Sequence, residues 1–333
     1  MKALVYHGPG ALRWQDWPEP QPGPDDVLIE VRAAGICGSD LHGYEGRSNR
    51  RHAPMVMGHE LAGDVAALGA RVDRALLGRR VVVQPFVHCG RCEACARDST
   101  NLCRNRRYIG TTCDGGMAER VAVPAANVLP IDGELPDAHA ALVEPLAVAL
   151  HAAGRCDAVR GARVRVAGGG AIGLLTLVAL RAAGAAEVQV VEPLAARRAT
   201  AIALGAADAI APQQADADGD DRFDVAVDAV GAEPTFAACL AAVRPAGTVL
   251  ALGGWTSVRT DLSRLVTREL QVIGSFNFTP ATFERAKRML ERGEVDAERL
   301  VGAGVPMADG ADAFRRLAER TVEQAKLVLT RPR

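Results

Sequence analysis

The stretch that most constrains the fold is Ala162-Arg163-Val164-Arg165-Val166-Ala167 followed by Gly168-Gly169-Gly170-Ala171-Ile172-Gly173. A β-rich run passes through G-x-G-x-x-G into an apolar helix pattern reaching Ala183, and a second β-rich run covers 187–192. Such glycines permit a tight turn and the close approach of a pyrophosphate, which sits at the positive end of a helix. The motif alone is weak, but here it has the preceding strand and following helix that it requires. Glu192 lies nineteen residues beyond Gly173, where an acid can hold both hydroxyls of an adenosine ribose and repel a 2′-phosphate. NAD is therefore expected in preference to NADP. Arg197 and Arg198, on the next helix pattern, either soften that preference at the cofactor or form a solvated helix face.

The β-α alternation continues through strand patterns at 208–211, 223–228, 247–252 and 270–273, with 213–222 reading as a solvated polar loop. Six strands with intervening helices predict a doubly wound sheet in the order 3-2-1-4-5-6. Before it, to about residue 130, short β runs are separated by Gly and Pro without regular helices, as at 80–85. That pattern suggests a mainly β, partly closed, barrel-like domain. After it come amphipathic helix patterns at 281–292 and 311–318. A closing strand at 326–330 is expected to rejoin the first domain. A chain of 333 residues exceeds one ordinary core. The expected fold class is α/β, a doubly wound Rossmann coenzyme domain (146–275) plus a mainly β, partly barrel-like catalytic domain split between 1–145 and 276–333.

Two sets of metal-ligating residues differ in character. Cys89, Cys92, Cys95 and Cys103 follow C-x₂-C-x₂-C-x₇-C, a strong signal for one closed tetrahedral zinc site. An iron–sulfur cluster competes for the first three cysteines, but its fourth cysteine comes sooner and precedes Pro, whereas Arg104 follows Cys103. The second set draws on Gly35-Ile36-Cys37-Gly38-Ser39-Asp40-Leu41-His42 and Gly58-His59-Glu60. A thiolate, an imidazole and a carboxylate make a three-ligand site whose fourth position stays open, as catalytic zinc requires. Taken singly, a free cysteine and a core histidine are the blander account. Glu144 reads either as a first-turn helix acid or, from its apolar surroundings, as another member of this site. Two ligand clusters beside a cofactor fingerprint point to a zinc-dependent dehydrogenase.

The net charge of −1 argues against nucleic acid or an anionic membrane as partner. The N-terminus opens directly into a strand pattern, and apolar runs are too short to span a bilayer, so a cytoplasmic protein is expected. Eight cysteines in a reducing compartment are better explained by metal than by disulfides.

With these motifs assembled, the chain resembles the medium-chain zinc-dependent alcohol dehydrogenase family over essentially its whole length. Glu144-Pro145-Leu146 is similar to the polyol and threonine dehydrogenase branch, and 114–119 to sugar-alcohol dehydrogenases of the galactitol-phosphate type. The resemblance implies Cys37 and His59 as fixed ligands of a catalytic zinc, with Glu60 and Glu144 as alternates. It implies a structural zinc at the four cysteines, so two per chain. Ser39 would hydrogen-bond the substrate hydroxyl and His42 would pass on its proton. Asp40 would orient His59, as metal-bound imidazoles require. NAD, a polyol or sugar-like alcohol as substrate, and a homodimer or homotetramer are also implied. Threonine, amino-alcohol or general secondary alcohol oxidation is the alternative; a zinc-free reductase or a non-catalytic zinc- and nucleotide-binding protein ranks lower. The branch's Arg-aromatic pair is replaced here by Phe276-Asn277-Phe278. The insert carrying Arg47, Arg50 and Arg51 either brings a cation to the substrate mouth or is solvated.

Overall fold

The computed structural model describes residues 1–217, 221–253, 257–260 and 262–332. The chain divides into two compact units. One comprises Met1–Glu144, Thr279–Val322 and Lys326–Arg333, the other Pro145–Phe278 with Glu323–Ala325.

The first unit is built around the strand Asp26–Gly35. Its Val27, Ile29, Val31, Ala33 and Ala34 are fully buried. One edge pairs antiparallel with Glu60–Leu68, with register shifts at Leu28/Ile29 and Val31/Ala33. The other edge is shared: residues 26–30 pair with Arg120–Pro124, and Gly35, Ala34 and Ala33 pair with Val328, Leu329 and Thr330. Such irregularities bend a strand and sharpen its twist, which lets the sheet curl. Beyond Glu60–Leu68 the sheet continues through Arg80–Val83 to Val128–Pro130. A three-stranded sheet, Ala11–Asp16, Lys2–Gly8 and Met55–Val56, lies in the same unit. Leu4, Ile29, Met57, Leu61, Met117 and Phe314 anchor its core. The mainly β, barrel-like expectation therefore holds, with one correction. The region is not free of helices, because Gly38–Tyr44 is helical.

The second unit carries the parallel sheet. Its spatial order is Asp208–Ile210, Glu187–Val191, Arg163–Ala167, Phe223–Asp228, Val243–Ala251, Gln271–Gly274, the predicted 3-2-1-4-5-6. Val164, Val166, Val190, Val225 and Val227 are fully buried, as expected where helices cover both faces. The polar stretch expected as a loop is helical over Pro212–Ala217, and 218–220 lie outside the described residues. Among the described residues no helix is long and apolar enough to cross a membrane.

Candidate metal centre and cofactor turn

The register of two strands assembles the first cluster. Gly35 pairs with Glu60, and two residues after Gly35 the chain reaches Cys37. A Cβ on Gly35 would collide with the Glu60 carboxylate, so the glycine leaves the space that Glu60 fills. Cys37 caps the helix Gly38–Tyr44: its Sγ accepts from Ser39 N at 3.5 Å, while Asp40 Oδ2 accepts from Cys37 N at 3.1 Å. This reciprocal cap turns Cys37 and Asp40 the same way. His59, one residue before the strand Glu60–Leu68, lies with its Nδ1 3.5 Å from Asp40 Oδ1, long for a hydrogen bond. One ligand atom from each of Cys37, His59 and Glu60 falls within 4.8 Å of the others, and His59 and Glu60 are buried.

The electrostatics call for positive charge here. Burial disfavours a charged His59, but Asp40 and Cys37 outweigh it and hold the ring's pKa well above its ordinary value. Asp40 is fully buried; desolvation pushes its pKa up, and His59 and Arg51 more than reverse that, holding it well below the usual carboxylate range. Glu60 Oε1 is buried without a hydrogen-bond partner, while Oε2 forms an ion pair with Lys326 Nζ. A buried carboxylate oxygen without a donor, beside a thiol and an imidazole, fits a zinc ion. Glu144 stands next to this group rather than in it. It lies in the first turn of Val143–Gly154, and Tyr108 Oη donates to its Oε1 at 3.2 Å. Burial raises the Glu144 pKa to about 7. The Tyr108 ring lies 5.2 Å from that of His59.

Ser39 and His42 share the helix that Cys37 caps. Burial, reinforced by Arg47, lowers the His42 pKa, which favours the neutral ring.

The four cysteines also converge. Cys92 and Cys95 Sγ lie 3.5 Å apart, Cys103 and Cys89 3.5 Å, and Cys89 and Cys95 4.0 Å. A zinc–sulfur tetrahedron with bonds of about 2.3 Å has edges of about 3.8 Å, so this set fits a closed zinc site. Backbone N–H groups of Arg91 and Cys92 bring the Cys89 thiol down to about 6, toward the thiolate a metal needs.

In the second unit Gly168 has φ +101°, and Gly170 caps the helix Ala171–Ala182, which carries Ile172 and Gly173 in its first turn. No side chain caps this helix. Its first N–H groups are thus left for an anion. A Cβ on Gly173 would strike the Gly168 carbonyl. Glu192 is buried just past the second strand; its Oε2 accepts from Gly169 N at 2.7 Å and its Oε1 from Leu194 N at 3.0 Å. The acid therefore braces the glycine turn as well as ending the strand. Arg197, expected at the cofactor, donates to the main-chain carbonyls of Glu323 and Gln324, because its helix turns it toward that segment. Arg198 bonds the Glu192 and Pro193 carbonyls. Asn277, in the segment expected to line the substrate, has φ +53° and a buried Nδ2 without a partner.

Comparison with known proteins gives the family. Residues 23–133 match the alcohol dehydrogenase GroES-like domain, and 171–292 match the zinc-binding dehydrogenase domain. L-galactonate-5-dehydrogenase of Escherichia coli K12 is 33% identical over 99% of both chains. The chain belongs to the zinc-binding dehydrogenase family. Sorbitol dehydrogenase of Bacillus subtilis is 32% identical over 99% of this chain and 97% of its own. A solved structure from Sinorhizobium meliloti, described as a zinc-binding dehydrogenase bound to NADP, superposes with a TM-score of 0.92 at 31% identity, covering 99% of each chain. This zinc-binding dehydrogenase is thus an oxidoreductase that uses zinc and a nicotinamide dinucleotide.

Two residues at the dehydrogenase's metal centre, Tyr108 and Lys326, escape a reading of its sequence, and Arg51 enters that reading only as part of an arginine-rich insert. Of the two, only Lys326 carried a signal, as one of three lysines in an arginine-rich chain.

Proposed function

We propose that this dehydrogenase oxidises a secondary hydroxyl of a polyol or sugar-like alcohol with NAD, the secondary alcohol and NAD⁺ giving a ketone, NADH and a proton. The observation that carries this reading is the convergence of Cys37 with the buried His59 and Glu60, and Glu144 beside them. Oxygen-rich ligands suit a hard, loosely coordinated metal and a substrate that offers several oxygens. Relatives acting, by name, on galactonate and sorbitol support a polyhydroxylated substrate, as does an aromatic content of only 4%, too little for an apolar slot.

Cys37, His59 and Glu60 would hold the catalytic zinc, with Glu144 as alternate, and Cys89, Cys92, Cys95 and Cys103 a structural one. Zinc held by the first set supplies Lewis acidity that eases loss of the substrate's hydroxyl proton. Ser39 Oγ receives that proton, and the neutral His42 carries it onward. Asp40 holds the His59 ring. In the cofactor half, Gly168, Gly170, Ala171, Ile172 and Gly173 receive the pyrophosphate, and Glu192 turns away a 2′-phosphate. Residues 1–145 and 276–333 would form the catalytic part and 146–275 the NAD-binding part. A homo-oligomer follows from family habit and is checked by sedimentation.

The decisive experiment measures kcat/KM for a polyol and sugar-acid series, amino alcohols, a plain secondary alcohol and ethanol, each with NAD and NADP. Sites built to bond hydroxyls reject analogues that lack them, because buried polar groups are left unpaired. Polyols with NAD should lead. Ethanol handled as well as the best polyol would defeat the substrate reading, and NADP preference the cofactor reading.

A further inference from the structure

Arg51 belongs to a run of arginines read either as a cation at the substrate mouth or as solvated charge, and the structure puts it in neither place. Its side chain is 1% exposed. Nη1 donates to the Ser39 carbonyl at 2.8 Å, and Nη2 to Ser39 Oγ at 3.3 Å and to Asp40 Oδ1 at 2.6 Å. Asp40 Oδ1 is also the oxygen nearest His59 Nδ1, at 3.5 Å. Room for the guanidinium is made by buried Gly43, where a Cβ would come within 2.9 Å of Arg51 Cδ. Tyr6 Oη fixes that turn by donating to the Gly43 carbonyl at 3.0 Å.

We propose that Arg51 is a positioning residue for the dehydrogenase reaction. One buried fork clamps Ser39, which receives the substrate proton, and Asp40, which orients the imidazole of His59. This rests on the roles of Ser39 and His59 given above.

Stability alone does not explain the arrangement. A buried ion pair is often no more stabilising than apolar residues of the same volume. Here Arg51 Nε is also buried without a partner, an added cost. What the fork provides is direction. A guanidinium has donors only, so Ser39 cannot give its proton to Arg51. Arg51 occupies one Ser39 lone pair, leaving the other to accept from the substrate and the O–H to point onward. The same fork holds Asp40 on the side of His59. A lysine ammonium, a point donor on a flexible stem, cannot keep the Ser39 carbonyl and Asp40 together in one plane.

The test compares wild type with Arg51→Lys and Gly43→Ala, the latter keeping the charge but displacing the stem. Readouts are steady-state kinetics, zinc release to a chelator and the visible spectrum after cobalt substitution. With melting close to wild type, Arg51→Lys should lower kcat about 10-fold, leave the KM for NAD unchanged and release the catalytic metal about 10-fold faster. Both variants should shift the cobalt bands. Arg51→Lys with wild-type kcat and release rate would overturn the proposal. So would activity lost only in proportion to the unfolded fraction while folded protein releases metal normally. If wild type oxidises no alcohol, the proposed function fails, yet the chelator and cobalt readouts still decide whether Arg51 holds the centre.

Discussion

Lys326 and Glu60 are a buried ion pair next to the ligand group, with side chains 3% and 1% exposed. The charges around the centre explain it. Cys37, Glu60 and Glu144 converge as potential anions, and all three act on Lys326, whose pKa burial depresses and Glu60 more than restores. Removing one partner of such a pair leaves an uncompensated charge, at a cost of about 3–5 kcal/mol. Lys326→Met should therefore show a loss of that order by urea unfolding of metal-depleted protein. The loss should be clearly smaller with zinc restored, since a cation then faces Glu60. Equal losses in the two states would mean that Lys326 does not serve to balance the ligand charge. Arg51 plays the corresponding part on the Asp40 side, so Glu60 and Asp40 each have their own buried base.

Among the elements, the turn from the strand Arg163–Ala167 into the helix Ala171–Ala182 shows how a short motif depends on an outside brace. Glycines let the backbone make the turn, but Glu192, from the end of the neighbouring strand, bonds Gly169 N and closes it. Glu192→Ala should have two consequences. The kcat/KM with NAD should fall as the turn loosens, and the gap between NAD and NADP should narrow. Repulsion of a 2′-phosphate by one carboxylate is worth roughly a few kcal/mol at most. Kinetics with both cofactors check this; an unchanged ratio would remove Glu192 from cofactor choice. The helix Gly38–Tyr44 holds a different lesson. Two glycines and seven residues hide it from any periodicity argument, and its only written signal is a cap of unusual type, Cys37 with Asp40 three residues on. The parallel strands, by contrast, declare themselves through Val-rich runs between turn residues.

At the scale of the molecule, the last residues complete the centre that residues 35–60 begin. Val328 and Leu329 pair with Gly35 and Ala34, and Lys326 reaches Glu60 from the start of that segment. Deleting 326–333 would bare half an edge of the central strand and strip Glu60 of its counter-charge. The four-cysteine lobe, formed within 89–103, takes no residue from this segment. With the two zinc ions per chain proposed above, metal analysis of the truncated protein should fall to one, with dehydrogenase activity lost. Retention of both would show that the tail has no part in the centre.

The linear sequence determined what is local. C-x₂-C-x₂-C-x₇-C, G-x-G-x-x-G and the β-α alternation each place their residues by short-range geometry, so metal type, cofactor class and sheet order are legible without coordinates. It also named Cys37, His59, Glu60 and Glu144, because thiol, imidazole and carboxylate chemistry is written in residue type. Tertiary structure alone decided how those groups stand. Glu60 enters the centre because it pairs with Gly35, a register that one slipped residue would reverse. Glu144 is held to one side by Tyr108. Arg197 bonds two distant carbonyls, and Arg51, one of several look-alike arginines, is drawn inward. Each outcome joins groups far apart in the chain, and the energy of a buried charge depends on the partner it finds there, which no spacing along the sequence records.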